Sequence, residues 1–360
     1  MDRAGEPGQL LFAAFEGGEL PEDLLSLVAA GRVGGVTLFA RNVAGFPATR
    51  RLTDALHARA PEQTPLTIAI DQEGGRVQRL RAPWTEWPPM RRLGERGSLE
   101  ETRALARALA RELADLRIDL DFAPVADVDS NPANPVIGDR SFSRAAPVVA
   151  RHVAAFVEAL QGAGVAACAK HFPGHGDTSE DSHLALPRVD CDLERLRRVE
   201  LVPFRAAAEA GVASMMTAHV LLPRLNPELP ATLAPEVLAC LRQEIGYDGL
   251  VFGDDLEMAA VADRFDPRTS VRRALEAGVD ALLVCRSPEL RDRVLAALEA
   301  APDRLLARPL ERMAAFKRRF AGGLGASGGA PPYPEHQALA ERLRAASSRP
   351  LISQISEAID

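Results

Sequence analysis

Three observations predict an α/β fold that closes as a (β/α)8 TIM-type barrel. Short apolar runs alternate with helical patterns over most of the 360 residues, glycines recur between helix and strand, and charged residues gather where the apolar runs end. With 47% hydrophobic residues the chain is long enough to bury a large core. The alternation alone also fits a doubly wound open sheet. Charged groups at so many separate strand ends favour convergence on one barrel mouth.

The elements follow in order. "QLLFAAF" (9–15) reads as a strand, and "PEDLLSLVAAG" (21–31) as a helix with proline at its start and glycine at its end. "VGGVTLFA" (33–40) is the next strand, before a helix around 46–59. "PLTIAIDQEGG" (65–75) is a buried strand running into carboxylates and glycines. "ETRALARALARELADL" (101–116) has helical spacing, and "IDLDFAPVADVD" (118–129) returns to extended chain. Helices at about 146–162, 193–210, 234–244 and 270–277 then precede "GVAACAKHFPG", "GVASMMTAHV", "GLVFGDDLEM" and "GVDALLVCR". In each case a glycine closes the helix and an apolar strand runs into polar residues. The strand ends read Asp71/Glu73, Asp127/Asp129, Lys170/His171, His219 and Asp254/Asp255.

These seven or eight strands assign residues 1–320 to one barrel domain. "AGGLGASGGAPPYP" (321–334) is a Gly/Pro-rich linker, and 335–360 is a short helical tail with too few apolar residues for its own core, expected to dock on the barrel.

A net charge of −7 argues against a nucleic-acid partner, and Trp84, Trp87 and the sparse aromatics give no stacking platform. Cys168, Cys191, Cys240 and Cys285 show no CxxC pairing and read as buried thiols of a reducing compartment. No leader-like start and no run of about 20 apolar residues is present, so no membrane partner and a cytoplasmic location are expected. We expect a monomer or weak dimer. Only Lys170 and Lys317 are lysine among the 43 basic residues, which suggests a point-charge role for Lys170 that a planar guanidinium would fill badly.

The densest polar stretch is "KHFPGHGDTSEDSH" (170–183). Asp181 and His183 are two apart, so in extended chain they share a side, where a carboxylate fixes the tautomer of an imidazole that moves protons near neutral pH. The plainer reading is a solvated loop. His171, His175, Asp181 and His183 are all ligand-competent, but Pro173, Gly174 and Gly176 interrupt the spacing, so no metal and no cofactor is expected. In "LVFGDDLEM" the two aspartates should point to opposite sides of a strand, with one facing the mouth as a nucleophile toward a sugar or phosphate centre and Asp255 suited to a helix N-cap. "IDQEGGRVQRL" (70–80) offers Asp71, Glu73, Arg76 and Arg79, a mix that suits sugar hydroxyls or a structural ion network. "NPVIGDRSFS" (134–143), with Asp139 and Arg140, reads alone as a surface turn.

Together these stretches resemble glycoside hydrolase family 3, in its short single-domain β-N-acetylhexosaminidases of the peptidoglycan-recycling type. The resemblance runs over about residues 8–320 through "IDQEGGRVQRL", "APVADVDSNPANPVIGDRSFS", "KHFPGHGDTSEDSHLALP", "MMTAHV" and "VFGDDLEM", in family order. It implies a retaining glycosidase on a (β/α)8 barrel acting on N-acetylglucosamine-containing carbohydrate. By motif position, Asp254 is the nucleophile, His183 the general acid/base and Asp181 its dyad partner, while Asp71, Arg79, Arg140, Lys170 and His171 bind the sugar. Gly174 and Gly176 are expected to give the His183 loop its backbone freedom. Gly253 departs from the serine usual before the nucleophile. Phosphorolysis, a non-catalytic amino-sugar-binding protein and a metal-dependent barrel amidohydrolase are the competing readings.

Overall fold

Eight parallel strands wrap into a barrel with helices outside it. The computed structural model describes residues 6–178, 186–323 and 328–345. In chain order β1 (Leu11–Ala13), α1 (Glu22–Ala29), β2 (Gly35–Leu38) and α2 (Phe46–Arg59) lead to β3 (Thr67–Ile70). A small hairpin, β4 (Gln72–Gly74) and β5 (Val77–Gln78), then precedes α3 (Met90–Arg96) and α4 (Leu99–Asp115). Next come β6 (Leu120–Asp121), α5 (Ala146–Gly162), β7 (Ala166–Phe172), α6 (Leu193–Arg198), α7 (Leu201–Glu209), β8 (Ser214–Thr217), α8 (Pro235–Ala239) and β9 (Leu250–Phe252). The last elements are α9 (Ala259–Ala262), α10 (Pro267–Ala277), β10 (Leu282–Val284), α11 (Pro288–Glu299), α12 (Asp303–Phe320) and α13 (Pro334–Arg344).

The strand order β10-β1-β2-β3-β6-β7-β8-β9 is closed by a parallel bridge from Phe252 to Ala281, where Gly253 N–H donates to the Ala281 carbonyl at 2.8 Å. An open doubly wound sheet leaves its edge strands apart, so this closure settles the choice in favour of the (β/α)8 barrel. The interior is filled with side chains. Phe252 meets Phe12 at 4.9 Å and Phe122 at 5.4 Å between ring centroids, both edge-on, so rings from β9, β1 and the residue just after β6 meet in the interior. Gly35 is needed there: a Cβ would lie 2.2 Å from the Phe12 ring.

Two elements differ from the sequence reading. The helix at 193–210 breaks at Val199 into α6 and α7. The break turns Glu200 inward, where its carboxylate meets Arg195 at 3.0 Å and its methylenes occupy the space a side chain at Gly174 would need. Of the extended stretch 118–129, only Leu120–Asp121 join the ladder as a strand. The rest is buried irregular chain held to β7, with Cys168 N–H donating to Ala123 and Ala126 N–H to Lys170.

Pro334–Arg344 lies against the outer helices α3 and α4, with the His336 ring 2.8 Å from Glu112 and the Tyr333 hydroxyl donating to Asp115 at 3.1 Å. The four cysteines are free thiols, and among the described residues no helix is long and apolar enough to cross a membrane.

Candidate active site

The mouth at the C-terminal ends of the strands holds a chain of alternating charges. Asp71 follows β3 directly, and the β4–β5 hairpin folds Glu73 and Arg79 back beside it. Lys170, on β7, bridges Asp71 Oδ1 at 2.6 Å and Glu73 Oε1 at 2.7 Å. Arg79 closes one end on Asp71 Oδ2 at 3.0 Å. At the other, Arg140 forks onto Glu73, with Nε and Nη2 donating at 2.8 and 2.7 Å. The compact ammonium suits a position shared by the buried Glu73 carboxylate and the half-buried Asp71 carboxylate.

Burial alone opposes charge on Asp71, Glu73, Arg140 and Lys170; their mutual attraction overrides it. Burial raises the Glu73 carboxyl, but Arg140 and Lys170 hold it far below the usual range. Asp71 is likewise held low by Lys170 and Arg79 against burial. Burial pulls the Lys170 ammonium down, and Asp71 and Glu73 together push it above its ordinary value. Asp71, Glu73, Arg140 and Lys170 are therefore ionised at neutral pH, a preformed set of fixed charges lining the mouth.

Asp127 organises the neighbouring wall. Its carboxylate accepts from the His171 ring Nδ1 at 2.7 Å, from the His171 amide at 3.3 Å and from the His175 amide at 2.6 Å. Burial works against the charge, and His171 outweighs it, so the Asp127 carboxyl sits below the usual range. With Nδ1 engaged, His171 turns Nε2 toward Arg140, 3.5 Å away.

The stretch from Lys170 to Thr178 is pinned. The Lys170–His171 and Phe172–Pro173 peptides are cis. The Asn134 amide donates to the carbonyls of His175 at 2.8 Å and Thr178 at 2.9 Å, and the Asp177 carboxylate accepts from Ser130 at 3.1 Å. Gly176 packs against backbone, since a Cβ there would fall 1.7 Å from the Val128 carbonyl oxygen. This corrects the expectation for Gly176, whose role is close approach and not freedom of motion. His175 is buried and its ring bonds the Thr178 hydroxyl at 2.9 Å; burial and the adjacent His171 hold its pKa below the ordinary value. Asp181 and His183 lie outside the described residues. Among the described residues no group of His, Cys, Asp and Glu is arranged to hold a metal ion.

Asp254 follows β9, and its Oδ1 accepts from the Asp255 amide at 2.8 Å. Asp255 Oδ1 in turn accepts from Glu257 N–H at 3.1 Å, closing a turn; α9 begins only at Ala259, so Asp255 is not its N-cap. Burial pushes the Asp255 carboxyl up to about 7. Both aspartates border the mouth, contrary to the strand-alternation reading, because the strand ends at Phe252 and the pleat no longer governs them.

These groups line one cavity of about 220 Å³: Asp71, Glu73, Arg79, Arg140, Lys170, His171, His175, Asp254 and Asp255, with Phe39, Phe122 and Met216 as apolar wall. All five expected sugar-binding side chains and Asp254 thus face a common space. Glu73 and Asp127 were visible as strand-end carboxylates, but their roles were not. Phe39, over which the Arg79 guanidinium lies at 5.3 Å, gave no signal beyond its place at the end of β2. A larger hollow of about 480 Å³, between the 262–270 segment and α11, holds none of these groups.

A closed parallel barrel whose strand ends gather carboxylates, a lysine and arginines around a cavity with apolar walls has the layout of a barrel enzyme's active site. The chain belongs to glycosyl hydrolase family 3: residues 6–314 match the family's N-terminal domain. A β-hexosaminidase of Thiobacillus denitrificans is 43% identical over 289 residues, covering 79% of this chain and 80% of its own. The structure of a family 3 β-N-acetylglucosaminidase from Paenibacillus sp. superposes with a TM-score of 0.90 at 42% identity, over 95% of this chain and 68% of that one. Native NagZ from Neisseria gonorrhoeae gives a TM-score of 0.82 at 32% identity, over 94% of this chain and 98% of its own.

Proposed function

We propose that the chain hydrolyses terminal, non-reducing β-N-acetylglucosaminides with retention of configuration, acting on peptidoglycan-derived fragments in the cytoplasm. The observation that carries this reading is the single cavity in which the Asp254 carboxylate faces the Asp71–Lys170–Glu73–Arg140 row. The N-acetyl preference draws on the relatives' names and on an N. gonorrhoeae NagZ structure in complex with N-trifluoroacetyl-D-glucosamine, which is 32% identical to this chain.

In this mechanism Asp71, Arg79, Arg140, Lys170 and His171 hold the sugar hydroxyls. Asp254 attacks the anomeric carbon as the glycosidic C–O bond breaks, and His183 gives a proton to the departing oxygen. His183, oriented by Asp181, then takes a proton from water, which attacks the same carbon and releases Asp254. His183 and Asp181 enter from their place in the sequence, eight and six residues after the cavity-lining His175.

Purified protein should release the aryl group from an aryl β-N-acetylglucosaminide, with the β-anomer as first product by NMR, and Asp254→Ala should abolish release. Efficient cleavage of an aryl β-glucoside with none of the N-acetyl substrate would overturn the assignment. N-acetylglucosamine 1-phosphate as main product in phosphate buffer would replace hydrolysis by phosphorolysis.

A further inference from the structure

His219 is fully buried just beyond the end of β8 and does not line the cavity. Its Nε2 lies 3.0 Å from the backbone carbonyl of Asp255. A carbonyl only accepts, so Nε2 carries the proton and donates. Its Nδ1 lies 2.8 Å from the Thr232 hydroxyl, which is itself 2.8 Å from the Thr217 hydroxyl and 3.1 Å from the Ala218 carbonyl. The ring is thus held at both nitrogens by groups that are themselves buried and bonded.

The residue it grips holds the carboxylate at the centre of the site. Asp255 offers its carbonyl to His219 and its amide to Asp254 Oδ1 at 2.8 Å. On the opposite side, Gly253 N–H donates to Ala281 at 2.8 Å and Leu256 N–H to Leu283 at 3.1 Å. The segment carrying Asp254 is clamped between β8 and β10, and His219 is the side-chain half of the clamp.

We propose that His219 is a positioning residue for Asp254: by fixing the Asp255 peptide it aims the Asp254 carboxylate at the anomeric carbon, with Thr232 orienting the ring. The inference rests on the reading of Asp254 as nucleophile. It places the effect of His219 in the covalent step and not in sugar binding, because the ion row that grips the sugar is built on Asp71 and the β4–β5 hairpin after β3, on β7 and on the Arg140 loop.

The experiment traps the covalent step in the full-length protein. A 5-fluoro-N-acetylglucosaminyl fluoride forms a bond between the carboxylate and C1 as C1–F breaks and fluoride leaves, and mass spectrometry of peptides locates the label. His219→Ala should slow labelling and kcat by about 100-fold, the scale of a misplaced reacting group, with KM and the inhibition constant of N-acetylglucosamine changed far less. His219→Gln, whose amide can again donate toward the carbonyl, should recover a substantial part of that loss. If His219→Ala does not fold, Thr232→Val supplies the same test: it should label more slowly than Thr232→Ser, which keeps the hydroxyl. Wild-type labelling rates in His219→Ala, equal defects in the Ala and Gln variants, or equal rates in the two Thr232 variants overturn the inference. A label on a residue other than Asp254 in the wild type overturns the underlying reading instead.

Discussion

The Asp127 carboxylate holds the His171 ring at 2.7 Å and the His175 amide at 2.6 Å, so one buried aspartate sets both the tautomer of a cavity histidine and the path of the chain beside it. Asp127→Asn keeps the size but turns one of the two acceptor oxygens into an NH2, which faces either the His171 ring N–H or the His175 amide. The variant should lose kcat/KM by about 100-fold, the cost of a misplaced site, with most of the loss in KM. Steady-state kinetics and N-acetylglucosamine inhibition check this; an unchanged KM would remove Asp127 from the binding wall.

Lys170, itself buried, is the shared cation of the buried Glu73 and half-buried Asp71 carboxylates. Lys170→Met leaves Asp71 and Glu73 with one positive charge fewer, and the loss of stability should be about 3–5 kcal/mol, as for a broken buried pair. Lys170→Arg keeps the charge but adds bulk and a planar fork where a compact ammonium fits, and should destabilise by about 1–3 kcal/mol. Urea unfolding of the three proteins gives the ranking directly, and an arginine variant as stable as wild type would contradict the point-charge argument.

Gly253 and Thr232 form a matched pair. A Cβ at Gly253 would sit 3.2 Å from the Thr232 Cγ2 methyl and 3.5 Å from Val279. Gly253→Ser should therefore cost about 1–3 kcal/mol of stability from overpacking. Thr232→Ser removes that methyl, so the double variant should be more stable than the two single losses add up to, by at least about 0.5 kcal/mol. Strict additivity would mean that serine is accommodated elsewhere.

Burial raises the Asp121 carboxyl to about 8, and its Oδ1 accepts from the Gln72 amide at 2.9 Å. A carboxyl raised above its unfolded value of 3.8 contributes stability that is complete below that value and is lost as pH rises through the folded value. Asp121 thus lowers stability progressively from about pH 4 to pH 8. Asp71, Glu73 and Asp127, held below the usual range, act in the opposite sense and lose their contribution in acid. Asp121→Asn retains an acceptor for Gln72, so it should flatten the decline between pH 5 and 8 by up to about 1.4 kcal/mol per pH unit. Urea midpoints across that range, compared with wild type, read the slope.

The barrel was legible because its signals are local: apolar runs, helix-closing glycines, carboxylates at strand ends. Helices α2 and α5 fall where the pattern places them, at Phe46–Arg59 and Ala146–Gly162. What was not legible depends on partners far along the chain. Asp127 acts on a histidine 44 residues away, and Arg140 pairs with a glutamate 67 residues before it. No spacing rule reaches that far. Glu200, turned inward at the break between α6 and α7, fills the space beside Gly174, and Gly176 lies against the Val128 backbone; both contacts join residues far apart in the sequence. An ion network was one of two readings for Asp71, Glu73 and Arg79, but the shares of Lys170 and Arg140 in it were not legible, and the individual roles rest on family resemblance.

The chain's only lysines are both interior: Lys170 is 3% exposed in the mouth, and Lys317 is 6% exposed in α12, donating to Gln9 and to the Pro65 carbonyl. A lysine-specific endoprotease therefore finds two cleavable bonds in the whole chain, each inside the fold. Nicking of a surface loop is ruled out by composition, and the rate of digestion becomes a direct count of molecules that have opened. The protein carries its own unfolding reporter, with no label attached.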